Sequence, residues 1–186
     1  MPDTESSLWF EETLKDSGLG LNIARFMSEE LVKLELETVA PEYVEGSSVE
    51  KWRQNAKELL LDELVSIIEP SGQVGNRTKL LMDFVNRERK ATTAIGYGVA
   101  IPHIRSIQAK QFVIGFGRNS RGYDFGALDD EPTKLFFVMA APPYDDMQYL
   151  RVFKALAEIL RYDTVREELL GLQTAYEVIR TLESMA

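Results

Sequence analysis

Ile95-Gly96-Tyr97-Gly98-Val99-Ala100-Ile101-Pro102-His103 carries the only histidine of a 186-residue chain. Two glycines and a proline lead directly to that imidazole. Glycine lets backbone approach a neighbour closely and proline fixes φ beside the ring, so the segment can hold one side chain in one orientation. The plain alternative, on the count of one histidine alone, is a ring that merely satisfies a hydrogen bond.

Apolar spacing on both sides predicts alternating strands and helices. Phe112 to Phe116 and Leu135 to Met139 read as buried strands, the second almost unbroken, with Asn119 to Gly122 as polar turn material between them. From Asp145 the positions Met147, Leu150, Phe153, Ala157 and Leu160 recur at helical spacing. Thr164 with Glu167 caps the helix after it, Gly171 ends that helix, and Thr174 with Glu177 opens the last one, whose buried side is Val178, Ile179 and Leu182. Upstream of the histidine, a helix starting near Asn76 carries Leu80, Leu81, Phe84 and Val85 on one face and delivers Arg87 near its C-terminal end. Before that, Ser47 with Glu50 makes a capping box for a helix bearing Trp52, Ala56, Leu59, Leu60, Leu64 and Ile67, which Pro70-Ser71-Gly72 ends. Leu31 to Leu36 suits a first strand, and Ser6 to Met27, broken by Gly18 and Gly20, suits two short helices that pack on the body or on a second copy. This alternation predicts an α/β layer fold.

Composition removes several function classes. Thirty acidic residues against 21 basic ones give a net charge of −9, which disfavours nucleic acid as a partner because few cations are left to neutralise phosphates. No apolar run is long enough to cross a bilayer, and the acidic N-terminus lacks the features of a secretory signal, so no direct membrane insertion is expected. The absence of cysteine excludes disulfides and thiolate metal sites and fits a cytoplasmic location. Asp129-Asp130-Glu131 and Asp145-Asp146 lack EF-hand spacing and read as solvated loop charge, so neither a metal nor any other cofactor is expected, and a metal-dependent hydrolase is the weakest reading. Neither a Walker motif nor a Gly-x-Ser-x-Gly elbow is present, which leaves ATP binding and serine hydrolysis unsupported.

Arg87-Glu88, then Thr92-Thr93-Ala94-Ile95-Gly96, then Gly98-Val99-Ala100-Ile101-Pro102-His103 together resemble the enzyme IIA domain of the fructose and mannitol class of the phosphoenolpyruvate:sugar phosphotransferase system, including its nitrogen-regulatory branch. Tyr123-Asp124-Phe125-Gly126-Ala127-Leu128-Asp129 resembles a second segment of that family. The likeness runs from about Met27 to the C-terminus. It implies a type-2 IIA domain over 27–186, a mixed β-sheet flanked by helices, with 1–26 as an N-terminal helical extension through which a homodimer can form.

The resemblance also implies a phosphoryl carrier. His103 accepts a phosphoryl group from the histidine phosphocarrier protein and passes it to an enzyme IIB or uses it to regulate a target protein. A neutral imidazole has one free lone pair for that chemistry, and a guanidinium offers a planar fork to phosphoryl oxygens, which makes Arg87 the candidate clamp. Thr92 and Thr93 are candidates for a further hydroxyl or amide contact, although turn chemistry explains them nearly as well. Gly98 and Pro102 support the segment. The chain departs from the family pattern twice: Ala94 replaces a glycine, and Tyr149 stands where many members place a second histidine. Those departures motivate the alternative of a catalytically degenerate IIA-like regulatory interaction module.

Overall fold

The apolar run at Leu135 to Met139 lies in the central strand of a six-stranded sheet, with both of its faces buried. Leu135, Phe137, Met139 and Ala141 enter one core and Phe136, Val138 and Ala140 enter the other, the two-residue period of a strand covered on both sides. The computed structural model describes residues 22–185. The chain runs through β1 (Val32–Lys33), α1 (Val49–Ile68), α2 (Arg77–Lys90), and the short strands β2 (Ala94–Gly96), β3 (Val99–Ala100) and β4 (His103–Arg105). The hairpin of β5 (Val113–Tyr123) and β6 (Thr133–Ala141) follows, then α3 (Asp146–Ile159), α4 (Asp163–Gly171) and α5 (Ala175–Ser184). The sheet is mixed: β5 and β6 are antiparallel, β3 and β4 both run parallel to β6, β1 is parallel to β5, and β2 is antiparallel to β3.

Helices α1 and α2 cover one face, where Leu60, Leu64, Leu80 and Phe84 meet Phe136 and Val138, and α3 to α5 cover the other, where Val152, Leu156, Leu169 and Leu182 meet Phe137 and Met139. Gly115 on β5 is required by this packing, because a Cβ there would stand 2.8 Å from the Cγ2 atoms of Ile67 and Ile68. Ile23 and Ala24, in a 3-10 turn, are buried in the second core. The two short helices expected from Ser6 fall mainly on residues outside the described ones.

Several local expectations need correction. Ser48, and not Ser47, caps α1 by accepting from the Lys51 amide, because the Ser47 hydroxyl is taken by Val44 O at 2.6 Å. Thr164 does not cap α4, which starts at Asp163 with no side-chain cap, whereas Thr174 and Glu177 do form the expected capping box. Asn119 to Gly122 belong to β5 instead of a turn. The strand shifts register there, and Arg118 ties it down by donating to Leu34 O at 2.8 Å and to Leu172 O at 2.7 Å. The strand expected over Leu31 to Leu36 shrinks to Val32–Lys33, since Glu29–Leu31 form a 3-10 turn. In α3 the buried stripe is Val152, Ala155, Leu156 and Ile159, while Met147 and Leu150 are 69% and 60% exposed. Both stripes fit a 3.6-residue period, and packing into the core selects the one made of Val152, Ala155, Leu156 and Ile159. Leu59 is likewise exposed on α1. Ala94 sits in an ordinary strand, so the glycine usual there is not needed for a left-handed backbone.

Candidate functional site

Strand β4 begins at His103, alongside the C-terminal end of β6, with His103 paired to Met139. Just before it Pro102 is buried and lacks an amide proton, but its carbonyl accepts from the Met139 amide at 2.8 Å, so the chain stays stitched to β6 up to the imidazole. The ring is fixed at both nitrogens. Nδ1 lies 2.5 Å from Ile101 O. A carbonyl can only accept, so Nδ1 carries the proton and Nε2 keeps the lone pair. Arg87, in the last turn of α2, donates Nη1 to Ala91 O at 2.9 Å and approaches Nε2 with Nη2 at 3.3 Å.

Two rings of α3 confine the imidazole. Phe153 lies 4.6 Å away and Tyr149 5.8 Å away between ring centroids, both tilted. The face of α3 that seemed core in the sequence is therefore partly the wall of this site. Burial pushes the His103 pKa below its ordinary 6.5, the bond to Ile101 opposes that shift, and the Arg87 charge adds to it. The neutral ring is thus favoured, with Nε2 unprotonated and its lone pair directed at Arg87. Burial raises the Tyr149 phenol, against the opposing charges of Arg87 and Arg105, so it stays protonated and able to donate. Among the described residues its hydroxyl has no hydrogen-bond partner.

Arg105 was not singled out in the sequence. It stands two residues after His103 in β4, and the strand period puts both on one face, a signal that was available. Its guanidinium lies 5.6 Å from the Tyr149 ring centroid and pairs with Asp146. Arg87, Lys90 and Arg105 share the wall of an open cavity of about 340 Å³. Asp83 lines the same cavity, Asp146 already pairs with Arg105, and His103 is not part of the lining, so the cavity lies beside the imidazole with a small excess of positive charge.

The other sequence candidates take different places. Thr93 is buried, donating its hydroxyl to Glu88 at 2.5 Å and its amide to the same carboxylate at 3.0 Å. The Thr92 hydroxyl accepts from Lys57 and from the Ala94 amide, each at 3.3 Å, and donates to Phe125 O. Both hydroxyls are thus committed to the turn between α2 and β2. Gly98, at φ 72, accepts from Lys134 and Leu135 at the far end of β6. Four strand residues, about 13 Å, separate that pairing from the one at His103, so the glycine turn shapes the sheet edge and not the imidazole. Asp129 closes that turn by accepting from the Tyr97 amide at 2.8 Å.

Residues 47–185 match the model of a family described as phosphoenolpyruvate-dependent sugar phosphotransferase system, EIIA 2. The chain is 34% identical over 126 residues to a fructose-specific EIIA component of Haloferax volcanii, covering 68% of this chain and 79% of that protein. It is 30% identical to a nitrogen regulatory protein of Bradyrhizobium diazoefficiens, over 77% of this chain and 91% of that one. In structure it is similar to the nitrogen regulatory protein IIA-Ntr of Neisseria meningitidis, with a TM-score of 0.73 and 25% identity over 87% of this chain and 99% of that one.

Proposed function

We propose, from the premise that this chain belongs to the EIIA 2 family of the phosphoenolpyruvate-dependent sugar phosphotransferase system, that His103 Nε2 is a phosphoryl acceptor and donor. The observation that carries this reading is the tautomer: Nδ1 donates a hydrogen bond to Ile101 O, and the unprotonated Nε2 turns its lone pair toward Arg87 Nη2. Nε2 forms a bond to phosphorus as the bond between phosphorus and the donor imidazole breaks, and the electron pair of that bond stays on the donor. The donor is a histidine phosphocarrier protein. In delivery a nucleophile of an enzyme IIB bonds to phosphorus as the bond from Nε2 breaks and its electron pair returns to Nε2, or the phosphorylated state acts on a regulated target. Arg87 meets the equatorial oxygens as they replace the Nε2 contact, and positioning with charge cancellation does most of what such a transfer requires.

Incubation with phosphoenolpyruvate, enzyme I and the phosphocarrier tests this. The expected result is an acid-labile gain of one phosphoryl group on His103. Its absence would leave the second reading, a IIA-like interaction module without turnover, which Tyr149 at the place of a second imidazole favours.

Arg87→Lys keeps the charge but loses the planar fork, so the transfer barrier is expected to rise by about 1 to 3 kcal/mol. Steady-state phosphotransfer at the wild-type rate would return Arg87 to a helix-capping role. Tyr149→Phe isolates the phenol hydroxyl. A hydrogen bond from it to the phosphoryl group is worth about 1 kcal/mol, so the variant should lose phosphohistidine faster while keeping the ring contact with His103. An unchanged phosphohistidine lifetime would mean that Tyr149 only fills space.

A further inference from the structure

Glu88 follows Arg87 in α2 but points the other way, into the interior, where its carboxylate is almost fully enclosed. Four donor contacts converge on it. Lys57 of α1 reaches it at 2.9 Å, the Thr93 hydroxyl at 2.5 Å, and the Thr93 amide lies 3.0 and 3.2 Å from its two oxygens. Thr93 in turn accepts from the Ile101 amide at 3.0 Å, and Ile101 O is the group that holds His103 Nδ1. The path Lys57, Glu88, Thr93, Ile101, His103 is therefore continuous, and each link is a hydrogen bond. Ile101 has its amide bound to Thr93, while the next residue, Pro102, has its carbonyl bound to β6. Loss of the Thr93 anchor frees one of the two sides that fix the Ile101 carbonyl.

We infer that Glu88, clamped by Lys57, is the positioning residue for the Nδ1 side of His103, so that adjacent residues of one helix turn govern the two ring nitrogens, Arg87 by contact at Nε2 and Glu88 through Thr93 and Ile101. Its chemical consequence, a lone pair kept on the transferring nitrogen, rests on the reading of His103 as the acceptor. The arrangement itself does not. A ring free to exchange tautomers presents a protonated Nε2 part of the time, and a protonated nitrogen cannot attack phosphorus.

The single histidine gives one imidazole spin system, so nitrogen-15 chemical shifts of the histidine-labelled protein report the tautomer without assignment ambiguity. Wild type is expected to show the Nδ1–H form, and a dominant Nε2–H form in wild type overturns the proposal with no variant needed. In Glu88→Gln the Nε2–H to Nδ1–H ratio is expected to rise about fivefold, the ratio that one weakened hydrogen bond allows. Lys57→Met combined with Glu88→Gln removes both charges, guards against misfolding caused by an unpaired ammonium, and should show the same rise. Leu169→Ala, in the opposite core, lowers stability and should leave the tautomer as in wild type. A wild-type tautomer ratio in either folded Glu88 variant, or an equal shift in Leu169→Ala, overturns the inference. Failure of wild type to take up a phosphoryl group, with the tautomer behaving as described, would sink the carrier reading and leave this inference standing.

Discussion

His103→Ala is expected to abolish phosphoryl uptake completely while costing only about 1 kcal/mol of stability, because the ring is half-buried at a strand start and fills little of either core. Retained acid-labile phosphate in this variant would falsify the assignment, since no other imidazole exists to hold it. The variant should also change the acid response of the fold. The native pKa of His103 lies below its ordinary 6.5, so as pH falls through that value the unfolded chain binds a proton that the folded ring refuses. Stability of wild type therefore declines over this window toward the lower native value, and His103→Ala lacks that component. Uptake by wild type should stay flat through neutral pH and fall only below the ordinary histidine range, as protonation removes the lone pair. Unfolding curves and initial rates over the same pH series check both statements.

Lys57→Met is the stability change with the largest expected effect, a loss of about 3 to 5 kcal/mol, because it leaves the Glu88 carboxylate enclosed without its cation. An exposed pair such as Arg180 with Glu183 is expected to contribute no more than about 1 kcal/mol. Urea unfolding distinguishes the two by midpoint at constant slope. The double variant Lys57→Met, Glu88→Gln should regain part of the loss, since neither partner then strands a charge. A loss under 1 kcal/mol in the single variant would mean that water reaches the carboxylate. That result would contradict the burial on which its role depends.

Much of this fold is legible in the sequence where one period admits one solution. The run from Leu135 to Met139 has no polar residue to expose, so it had to be a strand covered on both faces, and Thr174 with Glu177 satisfies a helix start whatever surrounds it. Arg87 and Tyr149 were placed near His103 from motif and resemblance, and they lie there. What escaped was decided by tertiary contacts. Two stripes of α3 fit the same helical spacing, and only the sheet selects between them. The Asn119 to Gly122 segment has turn composition, yet Arg118 and the antiparallel neighbour keep it in the strand. Glu88 and Lys57 are 31 residues apart, and no local pattern marks them as partners. Thr92 and Thr93 fit either a ligand contact or turn chemistry in the sequence, and in the structure their hydroxyls are engaged in the turn between α2 and β2, that of Thr93 by the Glu88 carboxylate and that of Thr92 by Phe125 O.

Central strand β6 sets the timescales around the site. From Phe136 to Ala141 it is shielded by both helical layers, and the Met139 amide is the one bound to Pro102 O. Amides so placed exchange with solvent only when the whole domain opens. The first turns of α3 have no such shelter, since Asp146, Met147 and Leu150 face water and Asp145 provides no side-chain cap. His103 thus has its backbone registered to a strand buried on both faces and its ring against Tyr149 and Phe153 of a helix whose exposed first turn is held to β4 by the Arg105–Asp146 pair. Breaking that one surface pair would loosen the Tyr149 side of the ring's cover without disturbing the strand that holds its backbone.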